Sequence, residues 1–187
     1  MSLLEKKTPQ LSLMVSPLLL LFCACLFAVG SVCVAQEVLK PGEIKVAYDA
    51  PSDTTKVLLN PMIVASRKHQ ELRLGAFSSS KGKTIIKPKE IALVFVSLSV
   101  SAGEGYENAR KLTVTADARK YPFGGMQRSV QTINGVAAES LLTVMPYETF
   151  LAIAYAKKVS LKIGLTEVEL TPEHIKSLRA AASYMSP

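Results

Sequence analysis

The chain has 187 residues, a formal net charge of +7, and 49% hydrophobic against 20% charged residues. That length is enough to bury a core without disulfides and is most simply one domain. Its three cysteines, Cys23, Cys25 and Cys33, all fall in the apolar N-terminal stretch. A chain cleaved of that stretch has no disulfide, thiolate metal site or cysteine nucleophile.

The N-terminus reads as an address. "MSLLEKK" sets Lys6 and Lys7 ahead of an uncharged run from Thr8 to Gln36, with Leu18–Val34 as its apolar heart. Cys33 and Ala35 are small residues at the −3 and −1 positions of a signal-peptidase site, so cleavage between Ala35 and Gln36 is expected. Residues 1–35 are then a leader and residues 36–187 a single domain. One alternative is a single-pass anchor through Leu11–Ala35, which is long enough to span a bilayer but is interrupted by Pro17, Gly30 and Ser31. Another is lipidation at Cys25, which follows Ala24 but has Phe22 where a lipobox usually has leucine. The expected location is the bacterial periplasm, the cell envelope or the medium.

From Glu43 to Val144 the hydrophobic period is mostly two, the signal of half-buried strands. "EIKVAY" alternates Ile44, Val46 and Tyr48, and "DAPSDTT" is a turn rich in residues that bond their own backbone. "KVLLNPMIVAS" is apolar on both alternations, and Pro61 marks it as an edge strand or as broken there. "ELRLGAF" alternates Leu72 and Leu74 before "SSSKGK" turns the chain. "EIALVFVSLSV" (90–100) is the strongest strand and is expected at the centre of a sheet, buried on both faces. After the loop "SAGEGYENA", "KLTVTADA" alternates Leu112, Val114 and Ala116. "RKYPFGG" reads as a turn, and Asn134–Gly135 within "INGVAAESLLTV" is a hairpin signal.

The period then changes. "PYETFLAIAYAKK" (146–158) predicts a helix with Phe150, Ile153 and Ala154 on one face and Lys157 and Lys158 at its C-terminal end. Val159, Leu161 and Ile163 point one way, Gly164–Thr166 turns, and Val168 and Leu170 continue the inward face. Thr171 is a helix N-cap with Pro172 in the first turn, followed by Ile175, Leu178, Ala182 and Met185 at helical spacing. The fold class is α+β: an antiparallel, β-rich body with two C-terminal helices, as one covered sheet or as a sandwich. A β-sandwich without strong helices is the alternative.

The stretch Phe150–Met185 resembles the ending of various uncharacterised exported bacterial proteins. Their pattern is a helix ending in Ala-Lys, a strand closing on Gly, a strand ending Leu-Thr, then a helix. Ala156, Lys157, Val159, Gly164, Leu170 and Thr171 carry it here, over about a fifth of the 187 residues. The resemblance implies a secreted or envelope location and no activity.

Candidate chemistry is sparse. Gly82-Lys83-Thr84 lacks a P-loop's first glycine, that position being Phe77, and no helix pattern follows, so no nucleotide site is expected. Lys81, Lys83, Lys87 and Lys89 all fall on odd positions and, if extended, share one face that could hold an anionic polymer or lipid headgroup. Lysines that blunt a sheet edge are the plainer reading, since no aromatic or arginine is interleaved to stack or clamp. Nucleic acid is not expected as a partner. His69 and His174 are isolated, without metal-ligand spacing to Asp49, Asp53 or Asp117, and no cofactor is expected. Asp117 and Glu139 fit turn and strand roles, while Tyr121 and Phe123 beside Gly124–Gly125 are either an exposed aromatic tip or tucked beneath the hairpin. The leading expectation is an exported, non-catalytic protein that binds or scaffolds, with an envelope protein, anionic polymer or lipid as partner. An exported hydrolase using His69, an aspartate and a serine is the second reading, and an anion binder acting through the lysine stripe is the third.

Overall fold

A computed structural model describes residues 39–99, 106, 108, 110–133 and 136–187. The predicted leader, most of "SAGEGYENA" and the Asn134–Gly135 hairpin signal lie outside the described residues. The strands are β1 (Ile44–Asp49), β2 (Thr54–Arg67), β3 (Gln70–Lys81), β4 (Glu90–Ser99), β5 (Lys111–Ala116), β6 (Arg119–Gly125), β7 (Gln127–Ile133), β8 (Val136–Pro146), β9 (Val159–Ile163) and β10 (Thr166–Glu169). Helix α1 (Tyr147–Ala154) follows β8, and α2 (Pro172–Met185) closes the chain.

The strands form two antiparallel sheets. One has six strands in the order β1-β2-β3-β4-β8-β7, the other four in the order β10-β9-β5-β6. A single hydrophobic cluster joins them, with Leu59, Leu74 and Phe95 from the larger sheet, Leu112 and Leu161 from the smaller, and Phe150 and Leu178 from the helices. Burying a side chain of this size contributes about 1.5–3 kcal/mol. Helix α1 touches β4 and β8 of one sheet and β5 of the other, while α2 packs on β2 and β3. The expected α+β architecture is therefore present, as two sheets with both helices packed into the core they share.

Three local differences from the sequence expectation have physical causes. Strand β4 is central, but only one of its faces is packed: Ile91, Leu93 and Phe95 are buried, while Ala92, Val94, Val96 and Leu98 alternate with them half-buried. An antiparallel sheet can leave one face uncovered. "RKYPFGG" is strand β6 rather than a turn, with Tyr121 and Phe123 packed against the core cluster. As an edge strand it tolerates Pro122, and the reversal comes earlier, at Asp117, whose φ of 52° is left-handed. Helix α1 stops at Ala154, so Lys157 and Lys158 lie beyond it and not in its last turn.

Pro61 explains the double apolar pattern of β2. A register shift between Leu59 and Met62 moves the core-facing positions from Val57 and Leu59 to Met62 and Val64. β1 pairs only with Thr54–Leu59, so the proline falls where pairing to β1 has ended. The Asn60 side chain donates to the carbonyls of Leu39 and Lys40, both at 2.9 Å, tying the bulge to the incoming chain.

Candidate functional site

The four lysines do not share a strand face. Lys81 ends β3 opposite Thr54, but the following residues, 82–89, form an irregular connection. Gly82 turns the chain at φ +81°, held by its N–H donating to the Asp53 carbonyl (2.8 Å) and by the Thr55 hydroxyl donating to the Gly82 carbonyl (2.6 Å). Lys83 then lies over the Tyr48 ring, with Nζ 5.5 Å from its centroid. Lys87 instead pairs with Glu148 of α1 at 2.7 Å, and this carboxylate holds the ammonium pKa above its usual value. Lys89 uses its carbonyl to accept the Tyr147 N–H at 2.9 Å. The left-handed turn at Gly82 breaks the alternation on which a stripe depends, and Lys83 and Lys87 end against different elements.

The histidines and aspartates are also separated. His69 stands exposed in the β2–β3 turn, where Arg67, Lys68, Gln70, Glu71 and Arg73 share with it an open cleft of about 410 Å³. Arg73 is paired with Glu71 at 2.7 Å. His174 closes the cap of α2: its Nδ1 accepts the Thr171 N–H (3.2 Å), and its own N–H donates to the Thr171 hydroxyl (3.3 Å). Asp49 pairs with Lys56 at 2.7 Å, which lowers its carboxyl pKa, and Asp53 accepts the Tyr48 hydroxyl at 2.8 Å. Asp117 accepts the N–H groups of Lys157 and Lys158, each at 3.0 Å. Among the described residues no cluster of three or more His, Cys, Asp or Glu side chains is placed to hold a metal ion.

Glu139 is the buried charge that the strand pattern concealed. It is 4% exposed, takes the Tyr106 N–H on both carboxylate oxygens and pairs with Arg128 Nε. The Tyr106 hydroxyl reaches Thr166 at 3.3 Å, linking the β4–β5 connection to the smaller sheet. With both oxygens engaged, this carboxylate anchors the backbone at Tyr106.

Among the described residues, an extended apolar surface lies on the outer face of the six-stranded sheet. Register places Leu58, Phe77, Ala92 and Val144 in one row across β2, β3, β4 and β8. Val94 and Leu142 form the next row beside Gly75, followed by Ile63 and Val96 with Arg73 between them, then Leu98 beside Glu71. Val144 is 50% and Ile63 39% exposed; the other apolar side chains are half-buried. The core cluster, with both helices and the smaller sheet, lies on the opposite face, and no described element covers this one. The double apolar alternation of "EIALVFVSLSV" was the sequence signal for this surface. Comparison with protein-family models, curated proteins and solved structures finds no match to the chain.

Proposed function

We propose that the protein is an exported, non-catalytic binding or scaffolding protein of the cell envelope that works through the outer face of its six-stranded sheet. The basic start, apolar run and Cys33-x-Ala35 exit support export. The observation that carries the binding role is the contiguous apolar surface from Leu58 to Val144, since exposed patches of this kind mark interaction sites. A hydrolytic reading would need His69, an aspartate and a serine to meet. Instead, His69 occupies an exposed turn, while Asp49, Asp53 and Asp117 are engaged with Lys56, Tyr48 and the backbone before β9.

The test places a photo-crosslinking residue at position 144 in the host cell, with position 165 as control because Leu165 is 98% exposed on the β9–β10 turn. A mature mass beginning at Gln36 in the envelope fraction, with a discrete adduct from position 144 and none from 165, is the expected result. A full-length cytoplasmic protein would end the export reading. An envelope protein giving no adduct from position 144 would end the binding one.

A further inference from the structure

We infer that the occupant of this face is a second copy of the chain, packed sheet against sheet about a two-fold axis. The inference rests on the binding role proposed above and names its partner. Three properties of the face point to self-association.

The first is composition. Ile63, Val94, Val96 and Val144 are β-branched and stand with Leu58, Phe77 and Leu142 on a pleated surface. Stiff side chains of this kind interdigitate when two sheets stack about 10 Å apart. A two-fold axis through the patch sets its apolar centre against itself, as an isologous contact requires.

The second is size. Four strands about 4.8 Å apart, carrying four outward rows roughly 6.6 Å apart, give a patch on the order of 500 Å², apolar except for Arg73 and Ser140 in its third row and Ser66 and Glu71 in its fourth. A standard interface buries about 800 Å² per partner. The flanking strands β1 and β7, with the polar ends of β2 and β3, provide the rim that makes up the difference.

The third is charge. Over most of its surface a chain of net charge +7 repels its own copy. The outer face instead carries Lys45, Lys56, Arg73 and Lys81 against Asp49, Glu71 and Glu90, with Lys56–Asp49 and Arg73–Glu71 already paired, and Lys68 stands at its β2–β3 end. A face on which two internal ion pairs cancel four of the charges suits a second copy better than an anionic membrane or polymer.

The test is sedimentation velocity on the protein in the N-terminal form recovered from its host, between 1 and 100 µM. The wild type is compared with Val94→Asp, Val144→Asp and the control Leu165→Asp, and far-UV circular dichroism reports folding. The expected result is a dimer that dissociates on dilution for the wild type and for Leu165→Asp. In the two face variants the dissociation constant rises about 100-fold or more, because each dimer then buries two unpaired carboxylates. Val144 is half exposed, so its aspartate variant keeps the test valid if Val94→Asp fails to fold. A wild type that stays monomeric at 100 µM overturns the inference, as does a folded Val144→Asp that remains dimeric. An adduct from position 144 whose mass is not twice that of the chain, with a monomeric wild type, removes self-association but leaves the binding role. A wild type that is monomeric and sediments with neutral phosphatidylcholine vesicles makes the occupant a lipid surface, which also overturns it.

Discussion

Both carboxylate oxygens of Glu139 accept the Tyr106 backbone N–H, at 3.0 and 2.9 Å, across 33 residues of sequence. The same carboxylate neutralises Arg128. Glu139→Ala leaves one buried N–H and one guanidinium without this acceptor. Arg128 is 26% exposed and can partly rehydrate, so the expected loss is about 2–3 kcal/mol rather than the full cost of a buried unpaired charge. Urea unfolding measures it, and hydrogen exchange at the Tyr106 amide should accelerate more than exchange in β4. Equal acceleration at both places would mean that Glu139 supports the whole sheet and has no particular hold on Tyr106.

Gly75 is required by the bulge in the neighbouring strand. A Cβ on Gly75 would lie 2.8 Å from the Leu59 carbonyl oxygen and 3.1 Å from Pro61 Cγ. The first of these is backbone and cannot swing away, so Gly75→Ala should destabilise by about 1–3 kcal/mol. Gly124→Ala, where the added methyl meets nothing within 4 Å, should stay within about 0.5 kcal/mol of the wild type. Paired thermal melts decide the matter. Two equal and small shifts would show that the bulge relaxes at no appreciable cost.

What the sequence disclosed was whatever depends on near neighbours. Thr171 and Pro172 announced α2, and the alternation of Val159, Leu161 and Ile163 announced β9, because a cap and a strand face are properties of a few adjacent residues. Hidden features depended on distant partners. Asp117 reads as a turn residue, and nothing nearby tells that its carboxylate holds N–H groups 40 and 41 positions away. Alternation in β4 shows that both faces are apolar, but not which face the helices cover. Strand β7 has no clear apolar alternation, and register with β8 rather than its own composition defines it. The lysine run shows a related limit: odd spacing implies a shared strand face only while the chain stays extended, and Gly82 turns it.

The cap of α2 can be tested directly. Thr171 and His174 exchange hydrogen bonds in the manner of a capping box, with the imidazole Nδ1 taking the place usually held by a glutamate or glutamine oxygen. Thr171→Ala should cost about 1 kcal/mol, since it exposes an orphan N–H at the start of a helix whose Ile175 and Leu178 anchor it to the core. His174→Gln retains an acceptor at the same place and should cost less than His174→Ala. If His174→Ala is as stable as the wild type, the imidazole contributes nothing to the cap.

Tyr147 gives the fold an alkaline limit. Its ring is buried beside Phe150, and its hydroxyl donates to the Ala182 carbonyl at 2.8 Å, tying the first turn of α1 to the last turns of α2. Burial raises the phenol above its ordinary value of 10.0. A raised folded-state pKa means that ionisation is easier in the unfolded chain. The stabilisation is therefore fully present below pH 10 and is lost as pH rises through the higher folded value. Tyr147→Phe removes both the hydrogen bond and the ionisation, so it should be about 1 kcal/mol less stable than the wild type at pH 8. Above pH 10 the gap should narrow, because only the wild type still has a phenol at this position to ionise. Guanidinium unfolding of both proteins at half-unit steps from pH 8 to 11.5 measures that gap. A gap that stayed constant across the range would show that the phenol ionises equally readily in both states, and would remove burial as the cause of its shift.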